Sequence, residues 1–289
     1  MQIYANFAIN GLVEGLIVSM LALSIVCTYA IARFPNAAAG DYATIGAYAT
    51  FIAYTKLGVG IVVAGLLGGL AIAVLSVFFY WAVFRRIEGQ GYVAALLASI
   101  GIAMLSRNTL TYALGHDPLV FPVPLQRAFD WGGVYVQPTD AWLALMGAAV
   151  LAAVFALFHA TSIGRQMRAL ADSRDLARAS GIDVDRVLVA QWLVAGFIAA
   201  AAGVMLGIKS VIQPESGWTM LLAGFAAAIL GGLTSLPGAV VGGLLIGVTQ
   251  ELSVNLVGGS YKLTVPFFVI LGVLLVRPEG IFGRSRAAR

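Results

Sequence analysis

The sequence predicts an all-α, polytopic membrane protein of about eight or nine transmembrane helices, built around an inverted repeat. Three observations predict this class: an overwhelmingly apolar composition, a series of apolar runs of membrane-spanning length, and a self-match between two halves of the chain. Of 289 residues, 61% are hydrophobic and 10% charged, and the mean hydropathy is +0.95. Soluble domains are roughly half apolar and about a quarter charged. A water-soluble fold of this length would lack polar residues to cover its surface, which excludes a soluble enzyme, a disordered tail and a secreted disulfide scaffold.

Crossing the hydrocarbon core takes ~20 apolar residues, with a range of about 17–25. Spans are predicted near 8–32, 40–56, 59–84, 91–115, 141–159, 188–209, 217–234, 238–257 and 262–277. Two pairs are tight: a Lys56-Leu57-Gly58 turn separates the second and third, and Ser235-Leu236-Pro237 separates the seventh and eighth. Two of these segments are short enough to be half-helices or tilted. The start of the chain has no basic region, and its apolar run from Phe7 to Ala32 exceeds a signal peptide's ~7–15 residue core, so it is expected to persist as a span. All nine segments form a single domain over 1–289, with repeat halves of roughly 8–115 and 141–277 and an inner loop over 160–187.

Orientation follows from basic residues, which concentrate in cytoplasmic loops. With the N-terminus outside, the inner face holds Arg33, Arg85, Arg86, Arg165, Arg168, Arg174, Arg178, Arg186, Arg277, Arg284, Arg286 and Arg289. The outer face holds Lys56, Arg127, Lys209 and Lys262. The N-terminus is therefore expected to be periplasmic and the C-terminus cytoplasmic. Nucleic acid is not an expected partner, because the basic residues fall in short gaps rather than along one polar face. The outer loop 116–140, with Pro118, Pro122, Pro124, Trp131 and Tyr135, is expected to place its aromatics at the headgroups.

A shift of 174 residues matches 41–80 to 215–254 without gaps, with nine of forty positions identical. Asp41 meets Glu215, Phe51 meets Phe225, and Gly68-Gly69-Leu70 meets Gly242-Gly243-Leu244. The two copies enter from opposite sides, and paired glycine-rich segments in corresponding halves mark the pathway of many transporters. Gly11/Gly15, Gly65/Gly69, Gly203/Gly207, Gly238/Gly242 and Gly243/Gly247 have the spacing that lets helix backbones approach closely in lipid, within a bundle or at a subunit interface.

Charges within apolar segments are costly and normally face the bundle interior or a water-filled cavity. Glu14, Asp41, Arg107 and Glu251 are the candidates. Glu14 and Glu251 lie toward the outer ends of their spans, where solvation is an equally good reading. Arg107, followed by Asn108 and Thr109, is read either as buried and polar in role or as reaching for the outer interface. Asn36, Asp41, Gly46, Arg107, Asn108, Gly231, Gly232 and Ser235 are the candidate pathway residues. Cys27 has no disulfide partner, His116 and His159 read as interfacial, and no metal-ligand spacing exists. An intramembrane enzyme needs paired carboxylates, a nucleophile with its base, or a metal cluster at helical spacing. The sequence has none, so no catalytic residue is assigned.

The long polar stretch on the inner side runs from Thr161 to Val187. Good helix formers fill 165–180, with Gly181 at the stop. Met167, Leu170 and Leu176 with Ala169, Ala171, Ala177 and Ala179 give a small apolar surface. A surface helix with exposed small residues fits a partner's groove, and equally fits a solvated linker.

This loop resembles the cytoplasmic coupling loop of ATP-binding cassette (ABC) importer permeases of the branched-chain amino acid (LivH/LivM) type. The resemblance rests on Arg168-Ala169-x-Ala171, Ala177 and Gly181-Ile182-Asp183-Val184-Asp185-Arg186-Val187. Asn36-Ala37-Ala38-Ala39-Gly40-Asp41 followed by Ile45-Gly46-Ala47-Tyr48 is similar to the family's Asn-Phe-Ala-His-Gly-Glu and Ile-Gly-Ala-Tyr region. Gly231-Gly232-Leu233-Thr234-Ser235-Leu236-Pro237-Gly238-Ala239 is similar to its Gly-Gly-Leu-Gly-Ser-Leu-Pro-Gly-Ala segment, and Pro278-Glu279-Gly280-Ile281-Phe282-Gly283 fits its ending. Ala37, Ala39 and Thr234 depart from the pattern, standing where the family has Phe, His and Gly.

The resemblance implies a permease subunit that moves a small solute across the bacterial inner membrane. The solute is expected to be a branched-chain or other hydrophobic amino acid; urea, amides and aromatic acids are the family's alternatives. It implies a second, LivM-like permease, two ATP-binding cassette ATPase subunits and a periplasmic solute-binding protein as partners. No Gly-x-x-x-x-Gly-Lys-Ser/Thr string occurs, so the chain is expected to hold no cofactor, with ATP bound by the partners. Arg165, Arg168, Ala169, Asp172, Arg174, Leu176, Ala177 and Gly181 are the expected ATPase-coupling residues. A passive channel is the competing class, distinguished by its lack of a bound ATPase.

Overall fold

The computed structural model describes residues 2–123, 127–131, 134–277 and 279–283. Pro124, Pro278, Arg284, Arg286, Arg289 and the side chain of Trp131 lie outside the described residues. The chain runs α1 (Gln2–Ala32), α2 (Ala39–Leu57), α3 (Ile61–Phe79, extended by one π-helical turn, Tyr80–Phe84) and α4 (Tyr92–Leu114). A two-stranded antiparallel ribbon follows, β1 (Phe129–Trp131) with β2 (Val134–Val136). The rest is α5 (Pro138–Ala160), α6 (Ser162–Asp172), α7 (Arg174–Ala179), α8 (Val184–Lys209), α9 (Ser216–Gly231), α10 (Leu236–Val257), a 3-10 turn (Gly259–Thr264) and α11 (Val265–Val276).

Each expected span coincides with a helix, but the nine differ in kind. Among the described residues, six helical segments are long and apolar enough to cross a membrane. The three that fall short are α2, α9 and α11. Two of them start against each other inside the bundle: Gly40 and Gly217 are both buried, and a Cβ on Gly217 would lie 1.8 Å from Gly40 O. α9, with 16 residues, and α11, with 12, are too short, whereas α2, with 19, is long enough but too polar, carrying Asp41 and Lys56.

α1 and α8 are apolar on all faces and are the most buried of the long helices, as expected for the centre of a bundle. α1 packs chiefly along α10, and α8 between α2 and α3. Ser24 Oγ donates to Ala195 O at 2.8 Å and Gln191 Nε2 to Thr28 Oγ1 at 3.2 Å, tying the two central helices together. Ser76 Oγ reaches Trp192 O at 2.7 Å, tying α3 to α8. In lipid, each such bond contributes about 0.6–2 kcal/mol.

The small-residue pairs are used within the chain. Gly15 abuts α10, where a Cβ would meet Leu244 Cα at 2.8 Å, and Gly203 abuts α2, where a Cβ would lie 1.8 Å from Ala43 O. They build the bundle, and a subunit interface must use other surface. α4 and α5 are peripheral, with Leu97, Leu105, Trp142 and Leu145 exposed. An apolar surface of that extent requires lipid or a protein partner.

Candidate functional site

Three helices converge where α2 begins. After α1, Arg33 adopts φ 63° and ends the helix, and the chain re-enters the bundle through Asn36. Asn36 Oδ1 accepts the Ala38 N–H at 3.0 Å, and Ser99 Oγ accepts the Ala37 N–H at 3.1 Å. These bonds satisfy amides that the first turn of a helix leaves without intrahelical partners. Asp41 follows in that first turn, where a carboxylate is favoured by the helix dipole.

The Arg107 guanidinium of α4 meets Asp41 with both arms, Nε to Oδ1 at 3.0 Å and Nη2 to Oδ2 at 3.0 Å. The Asp41 side chain is 1% exposed and that of Arg107 19%. The bidentate form is the strong form of this pair. Arg107 Cζ also lies 4.9 Å from the centre of the Trp218 ring, at the start of α9, within range of a cation–π contact. Thr44 Oγ1 accepts the Gly217 N–H at 2.8 Å, joining α2 to α9 a second time. Arg107 therefore has a buried polar role, and the reading in which it reaches for the outer interface is set aside.

The other candidate pathway residues divide. Gly46 packs against Ala200, where a Cβ would lie 2.6 Å away, so it permits a helix crossing. Asn108 is exposed on α4 and donates to Met104 O at 2.8 Å. Gly231, Gly232 and Ser235 form a separate cluster at the α9–α10 turn. There Ser235 Oγ accepts the Gly238 N–H at 3.1 Å, and Ile281 N and Phe282 N donate to Leu230 O and Gly231 O. Sequence reasoning missed Trp218, Thr44, Ser99 and the Gly40–Gly217 crossing. Its repeat, which aligns Asp41 with Glu215, did carry a signal that the starts of α2 and α9 correspond.

Glu14 and Glu251 are not simply solvated. Lys262 pairs with Glu251 and lies 3.7 Å from Glu14, with all three side chains 14–26% exposed. One cation thus joins α1, α10 and the 3-10 turn.

The polar inner loop folds as two helices rather than one. Ser173 adopts φ −153°, ψ 119°, and its Oγ accepts the Leu176 N–H, capping α7. Gly181 at φ 78° ends α7, with Ile182 N donating to Ala177 O at 3.1 Å, the bond expected of a glycine stop. Met167, Leu170 and Ala177 are buried, at 0%, 3% and 3% exposure. Ala177 therefore packs into the chain's own core and faces no partner, which corrects its expected place on the coupling surface. Ala169 is half-buried.

The surface left outward comprises Arg165, Arg168, Asp172, Leu176 and Gly181, with Leu176 69% exposed. Arg174 turns inward to pair with Glu88 in the α3–α4 connection, and Arg168 donates to Phe158 O at the end of α5. Arg85 reaches Asp185 at 3.0 Å. Arg168 and Arg174 thus tie the two short helices to the end of α5 and to the α3–α4 connection, while the Arg85–Asp185 pair joins the end of α3 to α8.

Among the described residues, no group of three His, Cys, Asp or Glu is placed to hold a metal ion. The family described as "Branched-chain amino acid transport system / permease component" matches residues 7–274. The chain is 30% identical to the high-affinity branched-chain amino acid transport system permease protein BraD of Pseudomonas aeruginosa, over 99% of this chain and 98% of that protein. It is 30% identical to the corresponding permease LivH of Escherichia coli K12, over 97% and 96%. Over 68% of this chain and 64% of the other, it is 32% identical to the ribose import permease RbsC of Escherichia coli K12. A match across nearly the whole length, on an all-helical bundle with membrane-spanning helices, places this chain in the family of permease components of branched-chain amino acid transport systems.

Proposed function

We propose that this chain is one of two transmembrane subunits of an ATP-driven importer that carries a branched-chain or other hydrophobic amino acid into the cytoplasm. It sits in the inner membrane with its N-terminus periplasmic and its C-terminus cytoplasmic. A second permease completes the pathway, a periplasmic binding protein delivers the solute, and two ATPase subunits bind and hydrolyse the ATP; this chain needs no cofactor. The full-length family match supports the permease role, and the names of BraD and LivH support the solute class.

The observation that carries the ATP-driven reading over a passive channel is the surface of α6 and α7. It is charged at its rim, presents an apolar Leu176, and is bonded to the end of α5, to Arg33 just after α1 and to the α3–α4 connection. A solvated linker needs none of those anchors. On ATP binding, the ATPase displaces this ledge, and α5 and α8 transmit the motion. The two halves, 8–115 and 141–277, then rock against each other as inverted repeats. Support for the repeat comes from matched roles at matched positions. Gly58 and Gly232, 174 residues apart, both end their helices at positive φ. Gly69 packs on α8 and its counterpart Gly243 on α1.

The test is Leu176→Glu in the reconstituted complex. The side chain is exposed, so the subunit's own stability should change by only about 0.5 kcal/mol. A buried carboxylate in the ATPase groove should cost about 2 kcal/mol or more, a loss of roughly thirtyfold in solute-stimulated ATP hydrolysis. Wild-type stimulation by the variant refutes the coupling surface.

A further inference from the structure

After α4 the chain folds back over the bundle before it reaches the β-ribbon. Residues 119–123 alternate, with Leu119, Phe121 and Val123 packed inward and Val120 and Pro122 exposed, the pattern of an extended segment with one covered face. Leu119 N donates to Ile212 O at 3.0 Å and Ile212 N to Leu119 O at 2.8 Å, so this strap is stitched antiparallel to the α8–α9 connection. His116 Nε2 stands 3.6 Å from Glu215 Oε1 of the same connection.

Phe121 is the buried anchor of the strap, 4% exposed. Its ring meets Phe51 and Tyr54 of α2 edge-on, with centroids 5.5 and 6.3 Å apart, a geometry that aromatic pairs favour. On the other side it rests on α8 at Gly207, where a Cβ would lie 3.0 Å from the ring and 2.9 Å from Ile212 Cγ1. The glycine leaves the space that the ring fills, and Phe121 closes the gap between α2 and α8.

Against the strap lies a crevice lined by Thr44, Ala47, Gly207, Ile212, Ser216 and Gly217. Gly207 and Ile212 belong to the seat of the strap. Thr44 and Gly217 share the bond that joins α2 to α9, one turn past Asp41 and next to Trp218. The crevice therefore leads from the strap to the Asp41–Arg107 cluster. Its volume is about 10 Å³, room for one water at most.

We infer that residues 116–123 are the outer gate of the pathway, with Phe121 as its plug, seen here closed to the periplasm. The inference rests on the orientation and transport role proposed above. Two backbone bonds, one seated ring and a solvent-exposed His–Glu pair hold the strap. Elements tied so lightly lie at the low-stability end of a fold, where moving parts are found. Because the strap is bonded to the α8–α9 connection, separation of α9 from α2 carries Ile212 away and withdraws Phe121 with it. The crevice then widens toward Asp41 and Arg107. With the ring seated, the outer side stays sealed while the inner side opens, as alternating access requires.

Leu119 and Ile212 exchange both backbone bonds, a pairing that sets Cα atoms about 5.5 Å apart, within the span of a disulfide. Leu119→Cys with Ile212→Cys should therefore bridge on oxidation of the complete complex, while the chain's own Cys27 is buried. The locked strap should cut leucine uptake about tenfold or more in right-side-out vesicles supplied with the binding protein, since a lid that cannot open blocks turnover. Dithiothreitol should restore it. A second arm needs no transport. Ala47 lines the crevice and is 3% exposed, so a cysteine there (Ala47→Cys) should react slowly with a membrane-impermeant maleimide. Adding Phe121→Ala, in complex that elutes as the wild type does, should speed labelling from the periplasmic side about tenfold or more, as the open population grows.

Wild-type uptake with the disulfide in place overturns the gate, and so does labelling of Ala47→Cys that Phe121→Ala leaves unchanged. Cysteines that never bridge overturn the seat of the strap and the gate with it. Absence of leucine uptake even after reduction removes the solute class alone, because the labelling arm still decides the gate. Faster labelling from the cytoplasmic side instead removes the orientation and with it the assignment to the outer face.

Discussion

Asp41→Ala should abolish solute uptake and destabilise the subunit, and Arg107→Met in the same chain should recover much of that stability without recovering uptake. Asp41 is 1% exposed and makes two 3.0 Å bonds to Arg107. Truncating it leaves a largely buried guanidinium beside the Trp218 ring without its carboxylate partner. Breaking a buried pair from one side typically costs about 3–5 kcal/mol, whereas replacing both partners with apolar groups is often neutral or better. The double variant keeps the packing but loses the polar link between α2 and α4. Thermal unfolding of the purified complex and solute uptake separate the two effects. Single and double variants of equal stability would show that the pair contributes little to the fold, and full uptake by the double variant would remove it from the transport pathway.

Gly217→Leu should prevent assembly of a folded subunit. A Cβ there would stand 1.8 Å from Gly40 O and 2.5 Å from Thr44 Oγ1. The contacted atoms are mostly backbone and cannot turn aside, so α9 must separate from α2, losing the Thr44–Gly217 bond and moving Trp218 off Arg107. Overpacking commonly costs about 1–3 kcal/mol where side chains can adjust, and a backbone collision exceeds that. Gly58→Leu is not an equivalent control, since its positive φ adds strain of its own. Gly101→Leu on α4 is the better one, because nothing lies within 4 Å of a Cβ there. Membrane yield and size-exclusion profiles of the two variants check the expectation. Equal yield of folded complex would contradict the packing at the start of α9.

Much of this architecture is written in local sequence. The limits of α4, α5 and α8 follow from where apolar runs stop, and Gly181 ends α7 because a left-handed residue with no Cβ suits that position. Ser235 before Leu236-Pro237 signals the start of α10, and the hydroxyl does cap it. Other features depend on long-range geometry. Asp41 and Arg107 stand out singly as charges in apolar surroundings, but their pairing spans 66 positions, and no spacing rule connects residues that far apart. The close crossing of α2 and α9 at Gly40 and Gly217 is not legible either, because hydropathy does not register contacts between helices. The break at Ser173 is hidden within a run of good helix formers. Its serine hydroxyl, followed by Arg174-Asp175-Leu176, was the available sign of a second N-terminus. Ala177 reads as part of a docking surface because small size and burial are indistinguishable until the fold says which face of α7 is covered.

The coupling surface stands or falls on which side of the membrane it occupies and what holds it. In the complete complex, a single exposed cysteine at position 176 (Leu176→Cys) should react with a membrane-impermeant maleimide only from the cytoplasmic side. It should also cross-link to an ATPase subunit, in a yield that changes when ATP is bound. Labelling of that cysteine from the periplasmic side of intact cells, or the absence of any cross-link to a nucleotide-hydrolysing partner, would contradict the account.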